Sequence, residues 1–564
     1  GGLEAITPNR YAAAALDAPY LGLTALADRS LPRALSVATG LRRRRVLRDI
    51  VAGLWPGEPS QRVCQWVEPA LRRWLRAGLH QGEPLADLPP RAAEVDHLAR
   101  EYVAALARSS EVDSACAAWL AGDAVRRPRL VAGFPRLELG DLALLDTACA
   151  DGSAIVLPYV PSPLFADNLA AARWLEARGW RIEERQEPAE TLGERLAARW
   201  LGGHEVIDGC GWQDWPDAEA EARGVLAQAK RLILRDGVRA ADIALVARRE
   251  RDYGPLVAAL AEEMGLRVHI AYAVPLRETR LGWWLAQGLR SLADDLPYEQ
   301  TLRWLGARWH DLADDFDATQ AYRRRPNGAD DWTAAGAPSA LVGVPQGKQP
   351  AADWLTWLDG LLAQASAIRR DDAREALAHR RLTETITEAR REAPGAHWTL
   401  AEFAEELGDW LETLTVPARP GRGGIELHTP LALLGAQRQH LFLLGATDGA
   451  LPQPVADDAF LDFRDRETVN ALAGGASPVL ETASQAARRE ALVCWSLLGA
   501  PTDSFCVTRP ETAGNSATSP SAWLAPLALP ELPRPPLLAD WLSWRQASLR
   551  GTDPEPVLTA ARSA

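Results

Sequence analysis

Hydrophobic residues along this chain follow two alternating kinds of pattern. Unbroken apolar runs at 130–134, 154–158, 243–246 and 441–444 are typical of parallel strands that are buried on both faces. The three- and four-residue spacing of apolar positions in 218–235 is typical of an amphipathic helix. Because strand-like and helix-like stretches alternate, the pattern predicts an α/β fold with a parallel sheet.

Longer helical stretches interrupt this alternation twice. Residues 31–121 have helical spacing throughout, and residues 281–414 do so apart from one segment rich in Gly, Pro and Asp. Strands are predicted on either side, including one at 205–208. The sequence therefore predicts two α/β units, each split by a helical insertion. Beyond residue 512, richness in Pro, Ser and Leu predicts a linker with one helix at 538–549.

The late apolar run at 441–444 ends at Gly445, and Asp448-Gly449 follows as a turn signal. A buried strand that ends in such a loop is where an open parallel sheet places its ligand crevice. The alternative is an ordinary core strand followed by a tight turn, and the pattern alone is compatible with both.

Composition narrows the class of protein. At 564 residues, roughly three to four domains or lobes are expected. The formal net charge of −13 argues against binding of nucleic acid over the whole surface, but not against a local basic groove. The six cysteines are scattered, so neither a disulfide framework nor a zinc site is expected, and a reducing cytoplasm is the expected location. The chain has no apolar run of ~18 residues and does not open with a signal peptide, so no membrane partner is expected. It also opens without an initiator Met.

The densest basic run consists of Arg42, Arg43, Arg44 and Arg45. Such a run is either the solvated end of a helix or a contact to nucleic-acid phosphates. Aromatic side chains accompany phosphate contacts in single-strand binding sites. The 22 tryptophans make aromatic groups available, but most fall on apolar helix faces and are expected in the core.

Six stretches occur in an order and at spacings that resemble those of UvrD/RecB-type superfamily 1 helicases. They are Ile6-Thr7-Pro8-Asn9-Arg10 and the stretches 130–145, 155–168, 242–248, 424–452 and 488–490. More closely, the chain resembles the helicase-like part of AddB-type DNA repair proteins, which precedes a RecB-family nuclease domain. The resemblance extends over nearly the whole chain up to about Pro510.

The resemblance implies an α/β architecture of two RecA-like parallel-sheet domains, each interrupted by a helical insertion. The implied segments are 1–50 and 127–203 for the first RecA-like domain, 51–126 for its insertion, 204–285 and 421–510 for the second RecA-like domain, 286–420 for its insertion, and 511–564 for a Pro-rich linker or tail.

DNA-binding residues also follow from the resemblance. Asn9 and Arg10 match a turn at which the family contacts DNA. His428 and Thr429 match a strand end that contacts DNA or couples the two domains. The run from Arg42 to Arg45 neighbours the region that lines the single-strand path in the family.

The parts that hydrolyse ATP in this family are missing or replaced. The sequence has no GxxxxGK[ST] loop to hold phosphates, although that loop would precede the first strand here. Gly133-Phe134 stands where the family has the Asp-Glu pair that holds Mg²⁺ and orients water. Glu138 is either a substitute for that pair or a solvated loop carboxylate. Gly499-Ala500 stands where an arginine finger is expected.

Other candidate groups have structural explanations. Arg488 and Arg489 are expected to pair with carboxylates rather than with phosphate. Arg248 matches the family's remaining phosphate-sensing position, but a structural role is expected for it. A metal site at His310-Asp311 and Asp314-Asp315 is conceivable, but a solvated acidic helix face is the alternative. We therefore expect no catalytic, nucleotide-binding or metal-binding residue and no cofactor, with Gly445 and Gly449 serving the fold.

The expected function is that of a helicase-like module without ATPase activity, in a helicase–nuclease system for DNA repair and recombination. The expected partners are single-stranded DNA or DNA ends, with the module acting as a scaffold beside an active helicase or nuclease subunit. One alternative is a scaffold that binds an active helicase subunit and never contacts DNA. Another is an active ATP-dependent helicase whose P-loop lies outside these residues.

Overall fold

The fold was analysed in a computed structural model, which describes residues 4–58, 60–122, 126–185, 189–306, 318–337, 344–364, 372–392, 395–421, 423–474 and 479–534. The chain divides into two compact units. Unit one comprises Gly1–Val268 and Gly423–Ala564, and unit two comprises His269–Arg422. None of the described helices is both long enough and apolar enough to cross a membrane.

The strands, in chain order, are β1 (Glu4–Ile6), β2 (Ser36–Val37), β3 (Glu111–Val112), β4 (Arg129–Val131), β5 (Ala154–Ile155), β6 (Cys210–Trp215), β7 (Ile243–Ala247), β8 (Val268–Pro275), β9 (Gln349–Pro350), β10 (His397–Trp398), β11 (Thr415–Arg419), β12 (Ile425–His428), β13 (Arg438–Leu444), β14 (Pro501–Pro510), β15 (Thr512–Ala513) and β16 (Ser516–Ala517).

The α-helices, in chain order, are α1 (Arg10–Ala15), α2 (Leu23–Arg29), α3 (Gly40–Leu54), α4 (Ser60–Arg76), α5 (Pro90–Ala107), α6 (Leu139–Ala148), α7 (Ala166–Glu176), α8 (Leu192–Trp200), α9 (Ala218–Arg235), α10 (Glu250–Glu263), α11 (Arg280–Ala293), α12 (Tyr298–Leu305), α13 (Ala318–Arg324), α14 (Ala329–Ala334), α15 (Ala351–Gln364), α16 (Ala373–Glu392), α17 (Leu400–Thr413), α18 (Phe463–Ala473) and α19 (Ala483–Leu498).

A small sheet in unit one contains three short parallel strands in the order β1-β4-β5. Its register pairs Ala5 with Leu130, and Leu130 with Ala154. The apolar runs at 130–134 and 154–158 do contain strands, as the sequence predicts. The helix after β1 begins at Arg10 because Asn9 caps it through its side chain.

The stretch 31–121 is mostly helical, but the prediction of an uninterrupted helical block is wrong. Strands β2 and β3 lie within it and pair in parallel, with Ser36 opposite Glu111. Each strand is only two residues long, so it does not alter the helical spacing of apolar residues in this stretch. The helices α3, α4 and α5 share a core in which Trp74 is fully buried and donates to Asp96.

A large sheet contains five parallel strands of unit one in the order β12-β7-β13-β14-β6. Strands β8 and β11 pair antiparallel with each other. All five residues of β7 are buried, as are the last four of β13. This burial on both faces explains the unbroken apolar runs and confirms the prediction of an α/β fold with a parallel sheet.

One strand prediction near the edge of the large sheet is wrong, and one strand is not predicted at all. No strand forms at 205–208, where Val206 is 82% exposed, and the edge strand β6 begins instead at Cys210. The unpredicted strand is the ten-residue β14, whose short apolar run at 505–507 is flanked by polar residues that include Asp503, Ser504 and Arg509. Trp215 in β6 is buried against α9, where a Cβ at Gly224 would lie 2.1 Å from its ring.

The first part of the predicted linker is packed in the structure. After β14 the chain forms a hairpin of β15 and β16 and a 3₁₀ helix at Ala522–Leu527. It then runs beside β6, where Trp212 N–H donates to Pro530 O (2.9 Å) and Leu532 N–H to Trp212 O (2.8 Å). Residues 511–534 therefore belong to unit one. The helix predicted at 538–549 lies outside the described residues.

Unit two is predominantly helical and has an aromatic core. Five of its tryptophans are at most 1% exposed: Trp284, Trp304, Trp332, Trp354 and Trp410. The prediction that most tryptophans are core residues is confirmed here.

Candidate functional site

The first candidate site joins the small sheet to the large sheet within unit one. Asn9 Oδ1 accepts from the N–H groups of Tyr11 and Ala12, both at 2.9 Å. Its Nδ2 donates to Leu434 O at 2.8 Å, just beyond β12. The Asn9 amide therefore both caps α1 and fixes that helix against the loop of the other sheet.

Glu426 in β12 is the centre of this junction. Its carboxylate accepts from Arg10 (3.3 Å), Arg438 (3.5 Å) and His428 (3.1 Å). Burial raises the pKa of Glu426, but hydrogen bonds from His428 and Tyr11 outweigh this and lower the pKa to about 2. The carboxylate therefore stays charged over the whole ordinary pH range.

The ring of Tyr11 fills the middle of the same junction. Guanidinium groups of Arg10 and Arg438 lie 4.7 Å and 4.6 Å from its centroid, and the His428 ring meets it edge-on at 5.2 Å. These contacts combine cation–π attraction with aromatic packing. We name the five side chains Tyr11, Arg10, Glu426, His428 and Arg438 the Tyr11 cluster.

The structure thus brings Asn9, Arg10 and His428 together, but it gives them different exposure. The Arg10 side chain is 63% exposed, whereas that of His428 is 1% exposed. Burial lowers the pKa of His428, which keeps the imidazole neutral at pH 7. Of the two alternatives for His428, coupling of the two sheets fits this position, and direct contact with DNA does not. Thr429 caps the following 3₁₀ helix by accepting from Ala432 N–H (3.2 Å).

The arginine run on α3 contacts the segment after α5. Arg42 donates to Glu111 (3.0 Å) and to Ser109 (3.0 Å). Arg43 lies 3.5 Å from Asp113. Arg44 and Arg45 also interact within the chain. The partners of Arg42 and Arg43 therefore lie in 109–114, not in the Tyr11 cluster.

The positions at which the resemblance would place ATPase chemistry are occupied by ion pairs. Arg488 donates to both oxygens of Asp167 (2.9 and 3.2 Å), and Arg248 to both oxygens of Glu490 (2.5 and 3.0 Å). Such bidentate pairs use the planar donor fork of arginine. Their guanidinium groups are therefore engaged with the protein's own carboxylates.

The loop after β4 shows the same kind of pairing. Gly133 has φ +84°, and a Cβ there would lie 3.2 Å from Pro8 and from Ala12. Arg136 pairs with Glu481 at 2.9 Å and, more loosely, with Asp167 at 3.8 Å. A basic side chain thus follows the strand where a magnesium-binding carboxylate would be needed.

Glu138 lies farther along the same loop, and its side chain is 45% exposed and 3.5 Å from Arg136. It caps α6. Among the residues that the structure describes, no group of three or more His, Cys, Asp or Glu side chains could hold a metal ion. His310, Asp311, Asp314 and Asp315 lie outside those residues.

The carboxyl ends of β13 and β14 surround a buried carboxylate rather than an open crevice. Glu221, which is fully buried, accepts from Gly445 N–H (2.8 Å), from the Thr508 hydroxyl (2.6 Å) and from the Tyr253 hydroxyl. Gly445 has φ +64°, and a Cβ there would lie 2.8 Å from the Tyr253 ring. These contacts favour the core explanation for the late strand and its turn.

Sequence reasoning did not identify Glu221 or Glu426 as central residues. Glu221 lies in the first turn of α9, where an acidic residue is ordinary, and Glu426 lies on a short strand. No local signal distinguishes either residue, since their partners are distant in sequence. Comparison of the sequence with models of protein families gave no match, and comparison with curated proteins gave no significant similarity.

Proposed function

We propose that this chain is a helicase-like module without ATPase activity, which binds single-stranded DNA or DNA ends in a DNA repair or recombination system. In this proposal unit one contains two RecA-like domains around the two parallel sheets, and the protein works in the cytoplasm. The observation that carries the proposal is the pairing of Arg136, Arg248 and Arg488 with carboxylates at the positions of ATPase chemistry.

The physical reason concerns charge. Phosphoryl transfer in this class needs a carboxylate for Mg²⁺ and arginine donors aimed at the transferred phosphate. Here Gly133-Phe134 supplies no ligand, and the donor forks of Arg248 and Arg488 face Glu490 and Asp167. Releasing such a guanidinium from its ion pair would leave a partly buried carboxylate unpaired, which is costly in free energy.

The same pairs support a scaffolding role. Arg488 and Arg136 connect α19 and the segment before it to the loops around the small sheet. A working helicase must open and close between its two domains, whereas these pairs and the Tyr11 cluster hold the two sheets together in one unit. A fixed arrangement suits a module that holds DNA or a partner rather than one that moves along a strand.

The direct test measures DNA binding and ATP turnover on the same preparation. Fluorescence anisotropy with a single-stranded and a blunt-ended oligonucleotide over a salt series should give an affinity that falls linearly in log–log form with salt. ATP turnover should stay at background with or without DNA. Turnover that DNA stimulates would support the active-helicase alternative, and absence of salt-dependent binding would rule out the DNA-binding proposal.

Two variants locate the DNA surface. Removal of charge at the exposed Arg10 is expected to weaken binding, and Arg181→Gln, at an arginine that is 85% exposed, is the matched control. A variant with Arg42 to Arg45 replaced by Gln tests the second predicted surface. Thermal unfolding must accompany it, since the pairs with Glu111 and Asp113 are lost too. A folded variant that binds as tightly as the parent removes that run from the proposal.

The second candidate function is a scaffold that binds an active helicase subunit without contacting DNA. It is favoured by exposed apolar residues that follow the edge strand β5: Val156 (54%), Tyr159 (39%) and Val160 (37%). Co-migration with such a subunit in size-exclusion chromatography, together with salt-independent or absent DNA binding, would favour this candidate.

A further inference from the structure

A cavity of about 400 Å³ opens in unit one. Its lining comes from α2, the end of α4, the start of α6, α19, the segment 114–118 and the loops after β1, β4 and β12. Its charged lining consists of four arginines and two carboxylates: Arg72, Arg76, Arg136, Arg489, Glu138 and Asp141. Burial and the neighbouring Glu138 raise the pKa of Asp141 to about 6. The four guanidinium groups outnumber these two carboxylates, and Glu481, outside the lining, pairs with Arg136 and Arg489.

The backbone of Arg76 is fixed by two close contacts of its carbonyl oxygen. Its carbonyl oxygen accepts from Trp119 Nε1 at 2.8 Å. A Cβ at Gly140 would lie 2.9 Å from that same oxygen, so only a glycine permits this approach of α6 to α4. The Arg76 guanidinium lowers the pKa of Asp141, and it makes no ion pair with the described carboxylates. It therefore has donors to offer a ligand.

Arg136 and Arg489 are held side by side from outside the cavity. Glu481 pairs with both, at 2.9 Å and 3.4 Å. Arg136 is already engaged by Glu481, Asp167 and Glu138, and its side chain is 11% exposed. Arg489 contacts Glu481 through Nε, and its side chain is 49% exposed. Because a guanidinium has five N–H donors, Arg489 retains donors that an anion can accept from.

The rest of the lining is mostly apolar, with Thr24 and Ser114 as its polar residues. Pro8, Phe134, Leu144, Leu431 and Leu434 form part of the wall. The volume lies within the roughly 300–1,000 Å³ typical of small-ligand sites. Guanidinium donors beside an aromatic and aliphatic wall suit a nucleotide, because its phosphate pairs with arginine while its base packs on the ring.

We propose that this cavity binds a nucleotide through its phosphate, and that the nucleotide is the phosphorylated terminus of a DNA strand. The proposal rests on the proposed DNA-binding function and names the part of the DNA that is recognised. A free mononucleotide offers the same chemistry, so the test must separate the two sources.

The test compares internally labelled single-stranded oligonucleotides of one sequence with a 5′-phosphate, a 3′-phosphate, unphosphorylated ends, or a closed circle. Anisotropy should give about tenfold tighter binding for a strand with a terminal phosphate, as expected for one added charge-assisted contact. The tighter binding should disappear in Arg76→Gln and persist in Arg181→Gln, whose arginine is 85% exposed and outside the cavity.

Leu431→Glu provides a second variant that does not depend on Arg76. Leu431 lines the cavity and is 61% exposed, so the substitution places a negative charge at the cavity without opening the core. It too should abolish the preference for a terminal phosphate. Adenosine monophosphate, added as competitor, should remove the preference only at far higher concentration than the phosphorylated strand.

Three outcomes decide the matter. Equal binding of all four oligonucleotides, with salt dependence intact, overturns the cavity proposal and leaves DNA binding standing. Absence of any DNA binding by the parent protein overturns both proposals. Tight binding of adenosine monophosphate that is sensitive to Arg76→Gln, without an end preference, keeps the phosphate site and overturns its assignment to DNA ends.

Discussion

Replacing Glu221 by leucine is expected to loosen the carboxyl edge of the large sheet. The buried carboxylate accepts from Gly445 N–H (2.8 Å), the Thr508 hydroxyl (2.6 Å) and the Tyr253 hydroxyl. Leucine has a similar size but no acceptor. Three donors that water cannot reach would therefore lose their partner, and a buried donor left unsatisfied is more costly than a hydrogen bond is favourable.

The magnitude follows from these contacts. Each unsatisfied donor costs about 1–3 kcal/mol. Thr508 retains an alternative acceptor in Leu443 O at 3.3 Å, so two donors remain without one. Removing a buried charge returns part of the cost. We expect a net loss of about 2–4 kcal/mol in the local opening free energy, which corresponds to roughly 30- to 1,000-fold faster amide exchange.

Hydrogen exchange followed by mass spectrometry measures this directly. Peptides from β13 and β14 should exchange faster in Glu221→Leu, while peptides from unit two serve as an internal control. The matched variant is Glu221→Gln, which keeps one oxygen acceptor and should cost about 1 kcal/mol. If the Leu and Gln variants exchange alike, or if Leu leaves β13 and β14 unchanged, the carboxylate is not the centre that we infer.

The same residue gives a pH dependence of defined sign. Burial raises the pKa of Glu221 above its ordinary value of 4.5. The folded state therefore holds a proton that the unfolded chain has already released. This contribution to stability is complete below pH 4.5 and is lost as pH rises through the folded pKa. The stability of the parent protein relative to Glu221→Gln should thus fall as pH rises from 4.5 through the folded pKa of Glu221.

Two further predictions concern charged contacts within unit one. A double-mutant cycle with Arg248→Met and Glu490→Gln should give a coupling free energy of about 1–2 kcal/mol in urea unfolding, and a value near zero would contradict the bidentate pair. Glu426→Gln should lower the thermal midpoint at pH 7. Because the pKa of Glu426 is lowered to about 2, its stabilisation is present above pH 4.5 and lost as pH falls toward 2, where the variant and the parent protein should converge.

Much of the fold could be predicted from local pattern. The runs at 243–246 and 441–444 are buried strands because both faces of an inner parallel strand are covered. Helix α9 begins and ends as its spacing and the following Asp236-Gly237 predict. Where a strand has only a short apolar run between polar residues, as β14 does, or only two residues, as β2 does, the hydrophobic pattern is too short to identify the strand.

The candidate sites could be predicted less well. The resemblance implies DNA-binding roles for both Arg10 and His428. Their roles differ because Arg10 is exposed and His428 is buried, and burial depends on residues far away in sequence. The segment 511–534 was expected to be a linker because it is rich in Pro and Ser. It packs because β6 has a free edge whose backbone groups need partners.

The sequence by itself determined the alternation of strands and helices and the parallel sheet, because each depends on near neighbours in the chain. Only the tertiary structure decided how the remaining charges are used. Glu221, Glu426 and the partners of Arg136, Arg248 and Arg488 come together across separate strands and helices. The sequence around a single carboxylate does not indicate its partners, because ion pairs form between whichever charges the fold brings close together.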